Sequence, residues 1–297
     1  MGRNGDGQPV ATKDTPPEPF ALDGKTARGS FDGLNKAVHL LSLLAHESGL
    51  TLAQRTVPDG GHDKTNEHKA ALRLLEGLVL EGRLITGDAL FCQRDLSQEI
   101  LDRKGHYLWF VKENQPTLLE AIQTAFAPSL EGAFPPRQQQ IWCKDLDTAT
   151  MLNKGHGRCE RRTLQATTAL NDDLDGPGGA PVGRVESVVT REGKTTPEVR
   201  YFITSVSRRC ADAGQWLHGV CGHGSIENRS HYVRGVNLGE DARRIRKGSG
   251  PEVMAAMMGN AAIGWLRYTG VTNIAASLRR NAARVTALFA KLGVLKQ

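Results

Sequence analysis

Residues 83–112, RLITGDALFCQRDLSQEILDRKGHYLWFVK, contain the pattern that decides the fold class. Arg83–Gly87 is a short apolar run of the kind found in buried strands, and Asp88 follows it directly. Leu96–Lys104 has apolar residues at helical spacing and stops at a glycine, which commonly closes a helix. His106–Lys112 predicts a second strand. This strand, helix, strand order indicates an α/β sheet with Asp88 at the end of the first strand.

The preceding and following sequence extends this pattern. Phe20–Asp23 predicts a short strand that ends at the aspartate. Ala37–His46 and Leu50–Val57 are apolar runs separated by a glycine turn, which predicts a hairpin. Helices are expected from Thr65 and over Gln115–Phe126. An opening meander followed by alternating strands and helices predicts a mixed sheet covered by helices, in which the two aspartate-bearing strands can be neighbours.

Composition divides the chain into four parts. Residues 1–19 are rich in Gly, Pro and charge and predict a disordered leader without a secretory signal. Residues 20–126 form the first part of the sheet domain. Residues 127–210 are polar and rich in Pro, Gly and Thr, with short β-like runs, and predict a β-rich insertion. Residues 211–297 predict helices with a basic C-terminal part.

The apolar content and the cysteines of the sequence indicate the cellular compartment of the protein. No run approaches the roughly 18 apolar residues that span a membrane. The five cysteines are scattered and form no C-x-x-C pair, which favours a reducing compartment over a disulfide framework. We therefore expect a cytoplasmic protein without a membrane partner. The trio His218, Cys221 and His223 fits no standard zinc spacing and lacks a fourth ligand.

Charge is concentrated near the C-terminus. The whole chain has a net charge of +6, yet from Glu227 onward 12 lysines and arginines stand against 4 acidic residues. A basic third beside a nearly neutral remainder indicates a polyanionic partner such as double-stranded DNA. A solvated helix face is the commoner explanation of a charge run taken alone.

Three acidic residues are the candidate catalytic and metal-binding groups. Asp23 and Asp88 follow short apolar runs, and Glu227 lies in a polar stretch predicted to be helical. Carboxylates that are distant in sequence but placed on strand ends and a helix are how two-metal sites for phosphodiester chemistry are assembled. The alternatives are an ordinary strand-to-turn role for Asp23 and a helix-capping role for Asp88.

Basic and polar side chains accompany these carboxylates. Those at strand ends and in a glycine-flanked loop are candidate DNA contacts, although each is also explained by simple solvent exposure: Lys25, Arg28, Lys112, His156 and Arg158. Helical spacing places a second polar set on one face: His223, Glu227, His231 and Arg234. Such a face suits a metal-ligating carboxylate flanked by groups that contact phosphates.

Several short motifs occur in a fixed order along the chain: Asp-Gly-Lys-Thr-x-Arg-Gly-Ser at 23–30, Lys-Thr-Asn-Glu at 64–67, Gly-Asp-Ala at 87–89, Val-Lys-x-Asn-Gln at 111–115, Gly-His-Gly-Arg at 155–158, Ile-Glu-Asn-x-x-His at 226–231, and Gly-Glu-Asp at 239–241. Together they resemble a DDE insertion-sequence transposase of the H-repeat-associated subfamily, over residues 20–290. Each motif is weak alone, but their order is specific.

This resemblance implies an RNase H-like fold with a β-rich insertion before the helix that bears the glutamate. It implies that Asp23, Asp88 and Glu227 bind two Mg²⁺ or Mn²⁺ ions and cut and join DNA strands. Arg234, seven residues after the glutamate, would position the DNA backbone, and Asn228 of the same motif would contact DNA. The implied partners are the transposon ends, the target duplex and a second copy in a homodimer.

The chain also departs from the pattern of that family. Members usually carry a helical domain before the first aspartate, whereas residues 1–22 precede it here. Near the glutamate, Cys221, Gly224, Tyr232 and Gly235 replace the usual Arg, Trp, Trp and Asp, and a glycine in place of a packed tryptophan weakens a helix. We therefore hypothesise a truncated transposase with an intact triad and impaired recognition of DNA ends. The alternatives are a non-catalytic DNA-binding remnant and a stand-alone metal-dependent nuclease.

Overall fold

The computed structural model describes residues 15–31, 33, 37–58, 64–127, 145–155, 157–171, 174, 177–178 and 181–294. Most of the predicted leader, residues 1–14, lies outside this range, and the first strand begins at Glu18. The strands in the described part of the chain are β1 (Glu18–Thr26), β2 (His39–Ala45), β3 (Thr51–Val57), β4 (Arg83–Gly87), β5 (His106–Val111), β6 (Asp147–Gly155), β7 (Arg158–Thr167), β8 (Val182–Arg191) and β9 (Lys194–Thr204).

Helices connect several of these strands in the sequence, and further helices form the C-terminal part of the chain. The α-helices are α1 (Lys64–Leu75), α2 (Arg94–Asp102), α3 (Pro116–Ala125), α4 (Ala213–His223), α5 (Gly250–Met254), α6 (Ala262–Tyr268), α7 (Ile274–Ala283) and α8 (Val285–Lys291). Three segments wind as π-helix: Glu227–His231, Val233–Asn237 and Ala255–Ala261. None of the helices among the described residues is long and apolar enough to cross a membrane.

The chain forms two compact units, of which the first comprises residues 20–77 and 222–297. Its sheet is antiparallel, with β2 between β1 and β3. Every residue of β2 is buried because its sequence, HLLSLLA, is almost continuously apolar. The turn between β2 and β3 contains Gly49 at φ +67°, a conformation that favours glycine. The hairpin predicted from these two apolar runs is therefore confirmed.

The helical part of the first unit has its own small core. Val233, in the second π-helical segment, packs with Ile263 and Leu266 of α6 and Ile274 of α7. Burial of these apolar side chains, worth on the order of 1.5–3 kcal/mol each, ties the C-terminal helices to the segment that follows Glu227. Helices predicted for residues 211–297 are thus observed as packed helices here.

The second unit comprises residues 1–19 and 78–221. Among its described residues, six strands lie in the order β4-β5-β9-β8-β7-β6, with β4 and β5 parallel and the others antiparallel. Helix α2 connects the parallel pair, and the indole N–H of Trp109 on β5 donates to Ser97 Oγ of α2 at 2.9 Å. The predicted α/β class, a mixed sheet flanked by helices, is confirmed.

Helix α4 covers part of this sheet. Trp216, Leu217 and Val220 of α4 pack in one buried cluster with Leu108 of β5 and Phe202 of β9. These apolar residues recur at helical spacing, so a single face of α4 points into the core. The helical pattern predicted from residue 212 is confirmed up to His223, where α4 ends.

Two sequence-based expectations need correction. The first strand extends from Glu18 to Thr26, so Asp23 lies within the strand and not at its end. Strand β6 was not among the β-like runs expected in the insertion. Most of its residues are exposed, so the sequence lacks the apolar run by which a buried strand is recognised. The strand forms because it pairs along its whole length with β7.

Candidate metal centre

Asp23 enters the site from the middle of β1, where it lies opposite Ser42 of β2. Successive side chains of a strand point to opposite faces, so Asp23 and Lys25 share one face while Gly24 and Thr26 share the other. The side chain of Asp23 is 30% exposed to solvent. It is therefore held by a rigid, central part of the strand and remains accessible to a ligand.

Glu227 enters from the helical segment that follows α4. Ile226, the residue before it, is buried against Ala21 of β1 and Leu44 of β2. This apolar contact holds the backbone of Glu227 beside the strand that carries Asp23. The segment then widens into π-helix, in which the Tyr232 N–H donates to the Glu227 carbonyl. Such π-helical turns occur frequently at functional sites.

His231 joins the two carboxylates. Its Nδ1 lies 3.1 Å from Glu227 Oε2 and 3.5 Å from Asp23 Oδ2. Ligand atoms of the three side chains lie within 4.8 Å of one another. The imidazole is 5% exposed and the glutamate 70% exposed, so the cluster has a buried side and an open side.

The electrostatics of the cluster favour the neutral form of this imidazole, because the pKa of His231 is lowered from its ordinary value. Burial lowers the pKa of His231, the hydrogen bond and negative charge of Glu227 oppose this, and the positive charges of Arg234 and Lys25 lower it further. A neutral imidazole and two carboxylates form a donor set of oxygen and nitrogen that fits a divalent cation.

Lys25 and Arg234 are both engaged in ion pairs within the protein. The Lys25 ammonium lies 3.4 Å from both carboxylate oxygens of Asp241 and is 11% exposed. Arg234 is completely buried, and its guanidinium donates to the two Glu240 oxygens at 2.8 and 3.0 Å. The structure therefore does not support direct DNA contact by Arg234, because the whole side chain is packed and paired.

The third predicted carboxylate, Asp88, belongs to the second unit. It follows β4, as predicted, and its Oδ1 accepts a hydrogen bond from the Leu90 N–H at 2.9 Å, so it caps the short 3₁₀ turn Ala89–Phe91. The capping role considered from sequence is thus present. Participation of Asp88 in a triad stays a prediction.

The other residues that were predicted to contact DNA differ in their exposure and lie in both units. Arg28 and Asn228 are exposed in the first unit, whereas His223 is buried. In the second unit Lys112 is exposed and borders a cavity of about 280 Å³. Arg158 pairs with Glu160 at 2.9 Å and is half exposed. His156 lies outside the described residues.

His231 is predicted from the sequence to contact DNA, but in the structure it lies in the carboxylate cluster. The signal for this position is its spacing, since residue i+4 on a helix contacts residue i. No role is predicted from the sequence for the motif at 239–241, and the structure shows that its two acidic residues bind Arg234 and Lys25.

The chain matches the family model described as "Transposase DDE domain" over residues 6–263. It belongs to that family. This family member is 32% identical to "Putative transposase YncI" of Escherichia coli O157:H7 over 249 residues, which cover 81% of the chain and 60% of the relative. It is 30% identical to "H repeat-associated putative transposase YhhI" of Escherichia coli strain K12 over 249 residues, covering 80% of the chain and 61% of the relative.

These matches confirm the resemblance to the H-repeat-associated transposases that the motifs predicted. The RNase H-like fold that the resemblance implies stays a prediction. The transposase-family chain spans about three fifths of the length of these relatives. The solved "piggyBac transposase synaptic complex with hairpin DNA" aligns with a TM-score of 0.46 at 12% identity, covering 86% of this chain and 48% of that one, and we conclude nothing from so distant a match.

Proposed function

We propose that this chain is a DDE-type transposase that cuts and joins DNA strands, with divalent metal ions bound by Asp23, Asp88 and Glu227. The observation that carries the proposal is the convergence of Asp23 and Glu227, from distant parts of the sequence, in a member of the transposase DDE domain family. Because the chain spans only part of its relatives, the complete transposition activity is part of the proposal.

Two Mg²⁺ or Mn²⁺ ions at these carboxylates would activate a water or a 3′-hydroxyl for in-line attack and stabilise the leaving oxygen. The protein contributes the placement of the ligand oxygens. Strand β1 presents Asp23, the burial of Ile226 presents Glu227, and the Leu90 N–H orients Asp88. Rigid placement lowers the reorganisation that the reaction requires.

The DNA phosphates would lie along exposed cations near Asp23. We define the basic segment as residues 243–247, Arg-Arg-Ile-Arg-Lys, whose Arg244, Arg246 and Lys247 are exposed. The first residue of this segment lies against the turn after β1, since a Cβ at Gly29 would meet the carbonyl oxygen of Arg243. Exposed Arg28 belongs to the same turn. Clustered cations next to a carboxylate site suit a phosphodiester substrate.

The proposed reaction also has consequences for the oligomeric state and the cellular compartment of the protein. Transposition brings two DNA ends together, so we expect a homodimer that binds transposon ends and target duplex. Substrate DNA of this kind is available in the bacterial nucleoid, which places the reaction in the cytoplasm.

The test is a nicking and strand-transfer assay on labelled duplex DNA with Mn²⁺. We expect activity in the wild type and a loss of more than about 100-fold in Glu227→Gln and Asp88→Asn, because even groups behind metal ligands typically contribute 10–100-fold. Glu252→Gln, a carboxylate change on α5 of the first unit, is the matched control and should retain activity.

The same assay separates the alternatives. Nicking without joining of a 3′-hydroxyl end to target DNA would indicate a stand-alone nuclease. Binding of duplex DNA without metal-dependent nicking in any variant would contradict the proposal and indicate a DNA-binding remnant.

A further inference from the structure

We infer that His231 is a direct ligand of the metal ion bound by Asp23 and Glu227, so that this centre contains a nitrogen donor and prefers Mn²⁺ to Mg²⁺. The inference rests on the proposed use of these two carboxylates as metal ligands and adds a ligand and an ion preference to it.

The first support is the distance between the donor atoms. In an octahedral site with bonds of about 2.1 Å, neighbouring ligand atoms lie about 3 Å apart. His231 Nδ1 is 3.1 Å from Glu227 Oε2 and 3.5 Å from Asp23 Oδ2. The imidazole nitrogen is therefore close to the spacing that neighbouring ligands require from each carboxylate, and all three ligand atoms lie within 4.8 Å of one another.

The second support is the confinement of the imidazole. Because the side chain is 5% exposed, it cannot extend outward to a DNA phosphate. Its Nε2 is buried and has no hydrogen-bond partner among the described residues, so the polar contacts of the ring are those of Nδ1 with the carboxylates. The residue is therefore held with one nitrogen facing the position of the ion.

The ion preference follows from the donor chemistry. Mg²⁺ binds oxygen ligands, demands near-ideal octahedral geometry and gives up its water reluctantly. First-row transition ions accept imidazole more readily, and a nitrogen-containing site therefore favours them over Mg²⁺. The alternative role is indirect: His231 would donate an Nδ1–H hydrogen bond to Glu227 and orient it without touching the ion.

The test measures Mn²⁺ binding by the full chain in the absence of DNA. Continuous-wave EPR gives the affinity for Mn²⁺, and competition with Mg²⁺ gives the selectivity. Pulsed EPR detects a nitrogen bound to Mn²⁺. We expect a nitrogen signal in the wild type that disappears in His231→Gln and persists in His218→Gln, an exposed histidine on α4. The affinity of His231→Gln for Mn²⁺ should fall by about 10–100-fold, with a change below about threefold for Mg²⁺.

A measurement on the wild type keeps the test independent of variant folding. Labelling histidine with ¹⁵N should convert the nitrogen signal to that of ¹⁵N. A bound Mn²⁺ without a histidine signal would overturn the inference and assign His231 an indirect role, and the absence of Mn²⁺ binding would overturn it as well. A histidine-bound Mn²⁺ in a protein that does not cut DNA would support this inference while contradicting the proposed function.

Discussion

Gly24 has no side chain, and the ring of His39 on the neighbouring strand fills the space in which its Cβ would lie. The His39 ring contacts Glu67 of α1 through Nε2 and Thr26 of β1 through Nδ1, the latter at 2.8 Å. Strands β1 and β2 and helix α1 thus meet at one buried imidazole. This junction lies on the face of β1 opposite Asp23, one residue away from it along the strand.

Replacement of Gly24 by alanine should disturb this junction and the adjoining carboxylate. The new methyl group would lie within 2.7 Å of Glu67 Oε1, so the ring and the helix must shift. We expect a decrease of about 1–3 kcal/mol in the free energy of unfolding, as for other overpacked sites, together with weaker Mn²⁺ binding. Urea denaturation and EPR titration measure the two effects.

Gly77→Ala is the control for this substitution. A Cβ at Gly77 meets no atom within 4 Å, so its effect on stability should stay within about 0.5 kcal/mol. Equal stability of the two variants would show that His39 and Glu67 adapt without cost.

The buried pair of Arg234 and Glu240 should be a structural element of the first unit. Glu240→Ala would leave the guanidinium without its charge partner and should cost about 3–5 kcal/mol in unfolding free energy. The double variant Arg234→Met with Glu240→Leu should recover part of this stability, because no buried charge remains. Chemical denaturation of the wild type, Arg234→Met, Glu240→Leu and the double variant measures the coupling. An unchanged stability of Glu240→Ala would contradict a structural role for the pair.

Asp145 should make the second unit sensitive to acid. Burial alone would raise its pKa, but hydrogen bonds from Thr167, Thr168 and Arg208 outweigh this and hold the pKa of the Asp145 carboxyl below its ordinary value. The unfolded chain then binds the proton more readily, so the stabilisation is complete above about pH 4, the ordinary value for an aspartate, and is lost as pH falls through the lower folded pKa.

Asp145→Asn should therefore lower stability at neutral pH, and its difference from the wild type should shrink in acid. Urea midpoints recorded from about pH 7 down to about pH 2 test this. Glu186→Gln, an exposed substitution on β8, is the matched control. A difference that does not change with pH would contradict the assignment.

The basic segment should contribute to DNA affinity by binding phosphates. A triple alanine variant of its exposed cations, Arg244, Arg246 and Lys247, should weaken binding of duplex DNA. The slope of log K against log salt should decrease by up to about 2.7, or about 0.9 for each phosphate that the variant no longer neutralises. Binding is measured without added metal, so cleavage does not interfere.

A second triple variant tests whether DNA affinity depends on where the positive charges lie or only on the net charge. It removes the same number of positive charges from exposed positions at and after α7, namely Arg279, Arg280 and Arg284. The salt slope of this control should match the wild type. An equal decrease in affinity in both triple variants would mean that affinity follows net charge and not the placement of the basic segment beside the turn after β1.

Much of the secondary structure was predictable from apolar periodicity. Strands β2, β4 and β5 are continuous apolar runs, and α2 has apolar residues at helical spacing, so local sequence and burial agree. Strand β6 was not predictable in this way. Its side chains are mostly exposed, and its conformation depends on backbone pairing with β7, which no local pattern records.

The candidate site was predictable in part. Asp23 and Glu227 were expected to converge, and the structure brings them together. The functions of the cations were harder to predict. Lys25 and Arg234 are residue types that usually face solvent, yet here they pair with Asp241 and Glu240 inside the first unit. Burial of a charge depends on partners that packing supplies, and residue type alone does not show it.

The sequence by itself determined the family of this protein, its α/β class and the identity of its acidic residues, because ordered motifs and apolar spacing are local properties of a chain. Only the tertiary structure decided which polar groups meet. His231 faces Asp23 because Ile226 packs against Ala21 and Leu44, a contact between segments far apart in sequence. Such contacts depend on how buried surfaces fit together, and that fit exists only in the folded chain.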